Sequence, residues 1–264
     1  MKIAILGGGN IGRAIASGLV KSGKTDPGNI FITRRNKEHL SDLEKEGILT
    51  GSNNVDAVLQ SEVILLAVRP KQLPDLLDEI KLSIDPEKHI IGSVVTAYTI
   101  DDIVNEIGAD VPVIQVMPNT AIAIGESMTC LAVKKEFCDQ LDVVKSIFDQ
   151  LGSTLVISEQ LISASTILGA CGIAFFLRAI RAASQGGIQV GFHAEQAMLI
   201  AAQVAKGAAS LLLVAGKHPE DEIDKVTTPR GCTIAGLNEM EHNGLSSALI
   251  KGIVKSYEEI EQLK

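Results

Sequence analysis

The 264-residue sequence predicts an α/β chain in two parts, an alternating strand–helix domain over 1–157 and an all-α domain over 158–264. Three observations carry this reading. Up to residue 157, short β-branched runs alternate with amphipathic segments, the order expected of βαβ units and a mostly parallel sheet. One run, Val63-Ile64-Leu65-Leu66-Ala67-Val68, is apolar at every position, as a strand covered on both faces should be. Beyond residue 157 no strand pattern recurs, and Ala, Leu, Ile and Gly fill 161–190 and 194–215. At about 150 residues per domain, a chain of this length suits two domains.

Strands are expected at 2–6, 30–33, 63–68, 89–94, 113–117, 129–133 and 154–157, with helices between most of them at 11–21, 37–46, 71–80, 101–107 and 135–151. Thr99 and Asp102 have the spacing of a capping pair before one of these helices. The two long segments of the second domain are apolar nearly all round. A surface of that kind marks a subunit interface, so the chain is expected to oligomerise through residues beyond about 158.

Composition removes several function classes. With 46% hydrophobic and 21% charged residues the chain can bury enough surface to fold. Its 24 basic and 32 acidic residues leave a net charge of −8, which repels a phosphate backbone. Aromatics are 3% and tryptophan is absent, so bases find few stacking platforms, and no nucleic-acid partner is expected. The five histidines, His39, His89, His193, His218 and His242, are scattered without metal-ligand spacing, so no metal is expected. Cys130, Cys138, Cys171 and Cys232 form no C-x-x-C pair, which fits a reducing, cytoplasmic compartment. The apolar run at 1–6 is too short for a signal peptide, and the run at 167–177, ending against Arg178 and Arg181, is too short for a bilayer span; no membrane association is expected.

The chemistry begins at Gly7-Gly8-Gly9-Asn10-Ile11-Gly12. This G-x-G-x-x-G follows a strand and opens a helix, which is the context of a Rossmann-type dinucleotide site. Gly7 permits the tight turn, Gly9 lets the backbone approach a pyrophosphate, and Gly12 lets helix and strand pack closely. Asn10, Ile11 and Gly12 then present free N–H groups at the helix start. At the end of the second strand, where an NAD site carries Asp or Glu, this chain has Thr33-Arg34-Arg35-Asn36. Two guanidiniums suit a 2′-phosphate, so NADPH is expected as cofactor and NADH as the weaker alternative. Ala67-Val68-Arg69-Pro70 and Val116-Met117-Pro118-Asn119-Thr120 end later strands, where an open α/β sheet places its ligands, and Asn119 has an amide to offer there. Near the C-terminus, Val226-Thr227-Thr228-Pro229-Arg230-Gly231-Cys232-Thr233 leads into a helix and is a ready carboxylate site for a small-molecule substrate.

These motifs in this order resemble the pyrroline-5-carboxylate reductase family over nearly the whole chain, with His218-Pro219 and the Thr228-Pro229-x-Gly231-x-Thr233 loop among the matching positions. The resemblance implies reduction of a cyclic imine, 1-pyrroline-5-carboxylate, to L-proline with NAD(P)H, the last step of proline biosynthesis. It implies an N-terminal Rossmann-type domain followed by an all-α dimerisation domain, with homodimers that often build larger rings. By position, the backbone of Gly231, Cys232 and Thr233 would hold the substrate carboxylate beside Thr228, the Thr233 hydroxyl would bond the imine nitrogen as the catalytic contact, and Asn54 would lie near the adenosine ribose. The chain departs from the family pattern in several places. Gln115 stands for a usual Arg, Ala121 for Pro, Arg69 for Lys, Ile173 for Pro, Glu222 for an aliphatic residue and Arg230 for Gly.

Two other classes are weighed against this one. A β-hydroxyacid dehydrogenase shares the two-domain plan but needs a lysine on the first long helix of its second domain, and 161–190 contains none. A decayed nucleotide-binding oligomer would account for Arg230 and Ile173.

Overall fold

The structure, a computed structural model, describes residues 1–261. Residues 262–264, at the end of the expected helical domain, lie outside the described residues. The chain divides into two compact units, Met1–Cys171 joined by the segment from Tyr257, and Gly172–Ser256.

The first unit is built on eight strands: β1 Ile3–Leu6, β2 Ile30–Thr33, β3 Leu49–Gly51, β4 Val63–Leu66, β5 Ile90–Ser93, β6 Val113–Met117, β7 Ser127–Val133 and β8 Gly152–Val156. Their order is β3-β2-β1-β4-β5-β6-β7-β8, and every pairing is parallel except β6 with β7. The helices are α1 Asn10–Ser22, α2 Ser41–Lys45, α3 Asn54–Leu59, α4 Leu73–Ile80, α5 Ile100–Ile107, α6 Cys138–Phe148 and the short α7 Ile162–Ser165. Strand β3 and helix α3 have no counterpart among the expected elements. The expected helices at 37–46, 71–80 and 135–151 each begin as a single 3-10 turn and become α-helical at Ser41, Leu73 and Cys138.

Alternation along the strands explains the two-sided core. Ile3, Ile5, Val63 and Leu65 pack on one face with Ile15 and Leu19 of α1 and Val144 and Ile147 of α6. Ala4, Leu6, Ile64 and Leu66 pack on the other with Leu73 and Leu77 of α4 and Ile103 of α5. Each fully buried Leu or Ile contributes about 1.5–3 kcal/mol relative to exposure. Thr99 caps α5 as its spacing predicts: its hydroxyl accepts from the N–H of Asp102 at 3.0 Å, and Asp102 accepts from the N–H of Thr99 at 2.8 Å.

After α7 the backbone widens into a π-helical turn, Thr166–Cys171, before α8, Gly172–Gln189. The second unit continues with α9 Ala194–Ala215, α10 Pro219–Lys225, α11 Cys232–His242 and α12 Leu245–Glu261, whose last residues belong to the first unit. No strand occurs after residue 156 among the described residues. Helices α8 and α9 approach closely where a Cβ on Gly187 would sit 3.1 Å from Cβ of Ala197. The length argument against a bilayer span is overturned. The 167–177 run lies inside a longer helical stretch, and Glu159–Gln189 and Ala194–Ala215 are both long and apolar enough to cross a membrane by length and composition.

Candidate functional site

The turn after β1 is shaped by contacts that exclude side chains. Gly7 has φ +121°, and a Cβ there would lie 2.3 Å from the Ala67 carbonyl oxygen. A Cβ on Gly12 would lie 2.1 Å from the Gly7 carbonyl oxygen, so glycine is what lets α1 start against its own loop. Gly9 differs: a Cβ there would meet nothing within 4 Å, so its face is open toward a ligand. The turn is held by the N–H groups of Gly7 and Gly8, which both donate to the Thr33 carbonyl at the end of β2, at 3.2 and 2.7 Å. Helix α1 has Gly9 as its N-cap, no side-chain cap and no acidic residue in its first turn. Its leading N–H groups, from Asn10 to Gly12, are therefore unclaimed by side chains and set up for an anion.

A cavity of about 510 Å3 lies over this turn. It is walled by Gly7, Gly9, Arg34, Arg35, Asn54, Ala67, Val68 and Arg69 among the expected cofactor residues, together with Gly8, Thr33, Asn36, His39, Ser52, Gln72, Asp75, Leu76 and Glu79. Asn10, Ile11, Gly12, Pro70 and Asn119 are not on its wall. Arg34 is half-buried and donates to the Gly8 carbonyl at 2.8 Å, which leaves its remaining N–H groups for a ligand; Arg35 is exposed beside it. Arg13 of α1 ties down the following segment by donating to the His39 carbonyl and the Asp42 carboxylate, and that hydrogen bond holds the Asp42 carboxyl below its usual range.

Asn54 is more committed than its sequence position shows. The Thr33 hydroxyl donates to its Oδ1 at 2.6 Å, and its Nδ2 donates to Glu79 at 2.9 Å. Asn119 is buried and serves the fold: its Oδ1 accepts from the N–H of Ala121 at 3.0 Å and its Nδ2 donates to the Gly169 carbonyl at 3.1 Å, inside the π-helical turn. Arg69 and Pro70 open a 3-10 turn in which Gln72 accepts from the Arg69 N–H at 3.3 Å.

In the second unit, α11 repeats the plan of α1. Gly231 is its N-cap, with no side-chain cap and no acidic residue in the first turn. A Cβ on Gly231 would sit 2.5 Å from the Thr228 hydroxyl oxygen, so the Thr228-to-Gly231 turn also excludes a side chain. Its N–H donates to the Thr228 carbonyl at 2.9 Å. Cys232 is exposed and Thr233 half-buried at the first two helical positions. Arg230 is held at φ +61°, the left-handed region that glycine prefers. The loop thus keeps the conformation of a glycine loop with an arginine in it, at a backbone cost of about 1–2 kcal/mol.

Glu79, Asp75, Ser52 and His39 were not singled out from the sequence. Glu79 and Asp75 lie on α4, whose charged positions read as a solvated face. Only the packing of α4 beside β1 and β4 turns them toward the cavity.

A family model described as pyrroline-5-carboxylate reductase dimerisation matches residues 159–263, and one described as NADP oxidoreductase coenzyme F420-dependent matches residues 2–97. Pyrroline-5-carboxylate reductase 1 of Dictyostelium discoideum is 53% identical over 96% of this chain, which spans 48% of that longer relative's length. Pyrroline-5-carboxylate reductase 2 of the same organism is 48% identical over 97% of this chain and 91% of its own. A solved pyrroline-5-carboxylate reductase from Coxiella burnetii superposes with a TM-score of 0.92 at 27% identity, covering 100% of this chain and 98% of its own.

Proposed function

Because the chain belongs to the pyrroline-5-carboxylate reductase family, we propose that it reduces the cyclic imine 1-pyrroline-5-carboxylate to L-proline with NADPH. The observation that carries this reading is the pair of glycine-capped helix starts, α1 and α11, both built without a side-chain cap. The first faces a cavity with two arginines on its wall, and the second follows a loop that carries the hydroxyls of Thr227 and Thr228.

The residues present fit a dinucleotide phosphate. Gly9 leaves room for the pyrophosphate, the α1 N–H groups bind it, and Arg34 and Arg35 supply charge for a 2′-phosphate that no nearby carboxylate on β2 opposes. Glu79 and Thr33 hold Asn54 in one orientation toward the adenosine end. When bound, the cofactor supplies the hydride. The N–H groups of Gly231, Cys232 and Thr233 bind the substrate carboxylate, and the Thr233 hydroxyl orients the ring nitrogen. A protonated imine accepts hydride without a strong protein acid, in keeping with a loop that carries threonines and a thiol but no histidine or carboxylate. The survival of the left-handed turn at Arg230 speaks for a working loop over a decayed one.

We further read α8 and α9 as a homodimer interface, with dimers assembling into a larger ring. Their outward side chains, among them Phe176, Leu199 and Val204, are 66%, 71% and 65% exposed, more apolar surface than a lone subunit tolerates. The same reading makes these helices partners of a second subunit instead of a bilayer, in the cytoplasm, where four unpaired cysteines are stable.

The test is NADPH oxidation followed with pyrroline-5-carboxylate. Wild type should turn over, and Thr233→Ala should lose about tenfold to a hundredfold in kcat with a smaller change in KM, the equivalent of one hydrogen bond worth about 1–3 kcal/mol. Thr233→Ser should keep most activity. A Thr233→Ala enzyme with wild-type kcat/KM would reduce Thr233 to a helix-start residue.

A further inference from the structure

Besides its arginines, the cavity over the β1 turn carries a carboxylate, Glu79 of α4. A Rossmann-type site reads the ribose 2′ position at the end of β2, and there this chain has Arg34 and Arg35 and no acid. An acid is nevertheless tied to that strand end from another element. Thr33, the last residue of β2 and 1% exposed, donates its hydroxyl to Asn54 Oδ1 at 2.6 Å, and Asn54 Nδ2 donates to Glu79 Oε2 at 2.9 Å.

The direction of this relay follows from chemistry. A carboxylate only accepts, so Asn54 turns its Nδ2 to Glu79 and its Oδ1 to the Thr33 hydroxyl. Three elements, β2, α3 and α4, thereby fix one carboxylate on the cavity wall. Its Oε2 is taken by Asn54, and no hydrogen bond or ion pair among the described residues uses Oε1.

An oxygen so placed separates the two nicotinamide dinucleotides. NADH carries a 2′-hydroxyl on its adenosine ribose, a donor that a carboxylate accepts from. NADPH carries a phosphate there, an anion that a carboxylate repels. Arg34 and Arg35 act with the opposite sign, attracting the phosphate and gaining little from a hydroxyl.

We propose that Glu79 is a specificity-determining residue for the cofactor, positioned by Asn54. It accepts from the ribose of NADH and opposes the 2′-phosphate of NADPH, so the preference of the site is the difference between Glu79 and the Arg34–Arg35 pair. The inference rests on the dinucleotide reading of this cavity and is independent of which imine is reduced.

The experiment is calorimetric titration of the full chain with NADH and with NADPH in the absence of substrate, so that binding is read apart from turnover. Glu79→Gln should weaken NADH about threefold to tenfold by removing the charged acceptor, and tighten NADPH about threefold by removing the repulsion. The ratio of the NADH Kd to the NADPH Kd should therefore rise about tenfold or more. Asp75→Asn removes the same charge from the same wall, one helical turn earlier, and should change the ratio by less than about threefold. Glu79 is exposed, and an unchanged thermal midpoint reports that each variant is folded. Were Glu79 only a support for Asn54, both nucleotides would lose affinity by the same factor. That result, a ratio within about twofold of wild type, or an equal shift in Asp75→Asn would overturn the proposal. A wild type that binds neither nucleotide would overturn the cofactor reading itself, and this inference with it.

Discussion

Helices α1 and α9 are both rich in apolar residues, yet they are used in opposite ways. In α1, Gly12, Ile15, Ala16, Gly18 and Leu19 are buried on one stripe against the sheet. In α9, over 22 residues, Ala197 alone is buried among the described side chains. The first unit completes its own core, and its apolar residues are spent within the subunit. The second presents them outward, so its stability rests on what covers it. Periodicity separates the two: α1 has an apolar stripe with polar residues opposite, whereas α9 is apolar on nearly every side.

The sharpest break of this contrast pairs one substitution in each unit. Leu65→Ala, at a position with no exposure, should cost about 2–5 kcal/mol in urea unfolding and leave the sedimentation coefficient unchanged. The double change Leu199→Asp with Val204→Asp should do the reverse. It should weaken association by about 2 kcal/mol or more, seen as dissociation in sedimentation at micromolar protein, while circular dichroism stays helical. A double variant that sediments as wild type would place the interface elsewhere.

Within the first unit, function and core also separate. Arg34→Ala with Arg35→Ala removes cavity-wall cations without touching the buried stripe of α1. KM for NADPH should rise about tenfold to a hundredfold, with KM for NADH nearly unchanged, because charge-assisted bonds to the extra phosphate are lost. Equal losses for both cofactors would move the 2′-phosphate site away from these residues.

The smallest expected effect concerns pH. His89 is 2% exposed, and its Nδ1 accepts from the Asp85 N–H at 2.9 Å. Burial, helped by the Lys88 charge, pushes its pKa below the ordinary value of 6.5. Between the folded and unfolded pKa the unfolded chain binds more protons, so stability rises with pH there and falls as pH drops below about 6.5, by at most about 1.4 kcal/mol per pH unit. His89→Asn keeps an acceptor for Asp85 and should flatten the unfolding free energy just below about pH 6.5. An unchanged slope would assign the acid sensitivity to other groups.

Several features were legible in the sequence because their causes are local. The glycine turn and the Thr99–Asp102 cap depend on residues within a few positions of each other. The βα order follows from hydrophobic period, and the loop into α11 from its glycine and hydroxyls. Strand β3 was not legible, since three residues carry no measurable period, and neither was the six-residue α3. The bilayer argument measured only the apolar run at 167–177, whereas the helix that contains it spans Glu159–Gln189 and stays apolar past Arg178. At Arg230 the resemblance implied a glycine, and only the backbone shows that the arginine takes the left-handed conformation that glycine prefers.

By itself, then, the sequence determined most of the strands and helices, that a dinucleotide turn follows the first strand, and that the second half has apolar surface to spare. These follow from side-chain period and steric freedom, which act over a few residues. The tertiary structure decided the rest. It bound Asn54 between Thr33 and Glu79 and turned the Asn119 amide inward to the π-helical turn. It also fixed the Gln115 amide from the middle of β6 onto the Tyr98 carbonyl. Each of these joins groups from separate elements, and a hydrogen bond depends on ångströms in space that spacing along the chain does not encode.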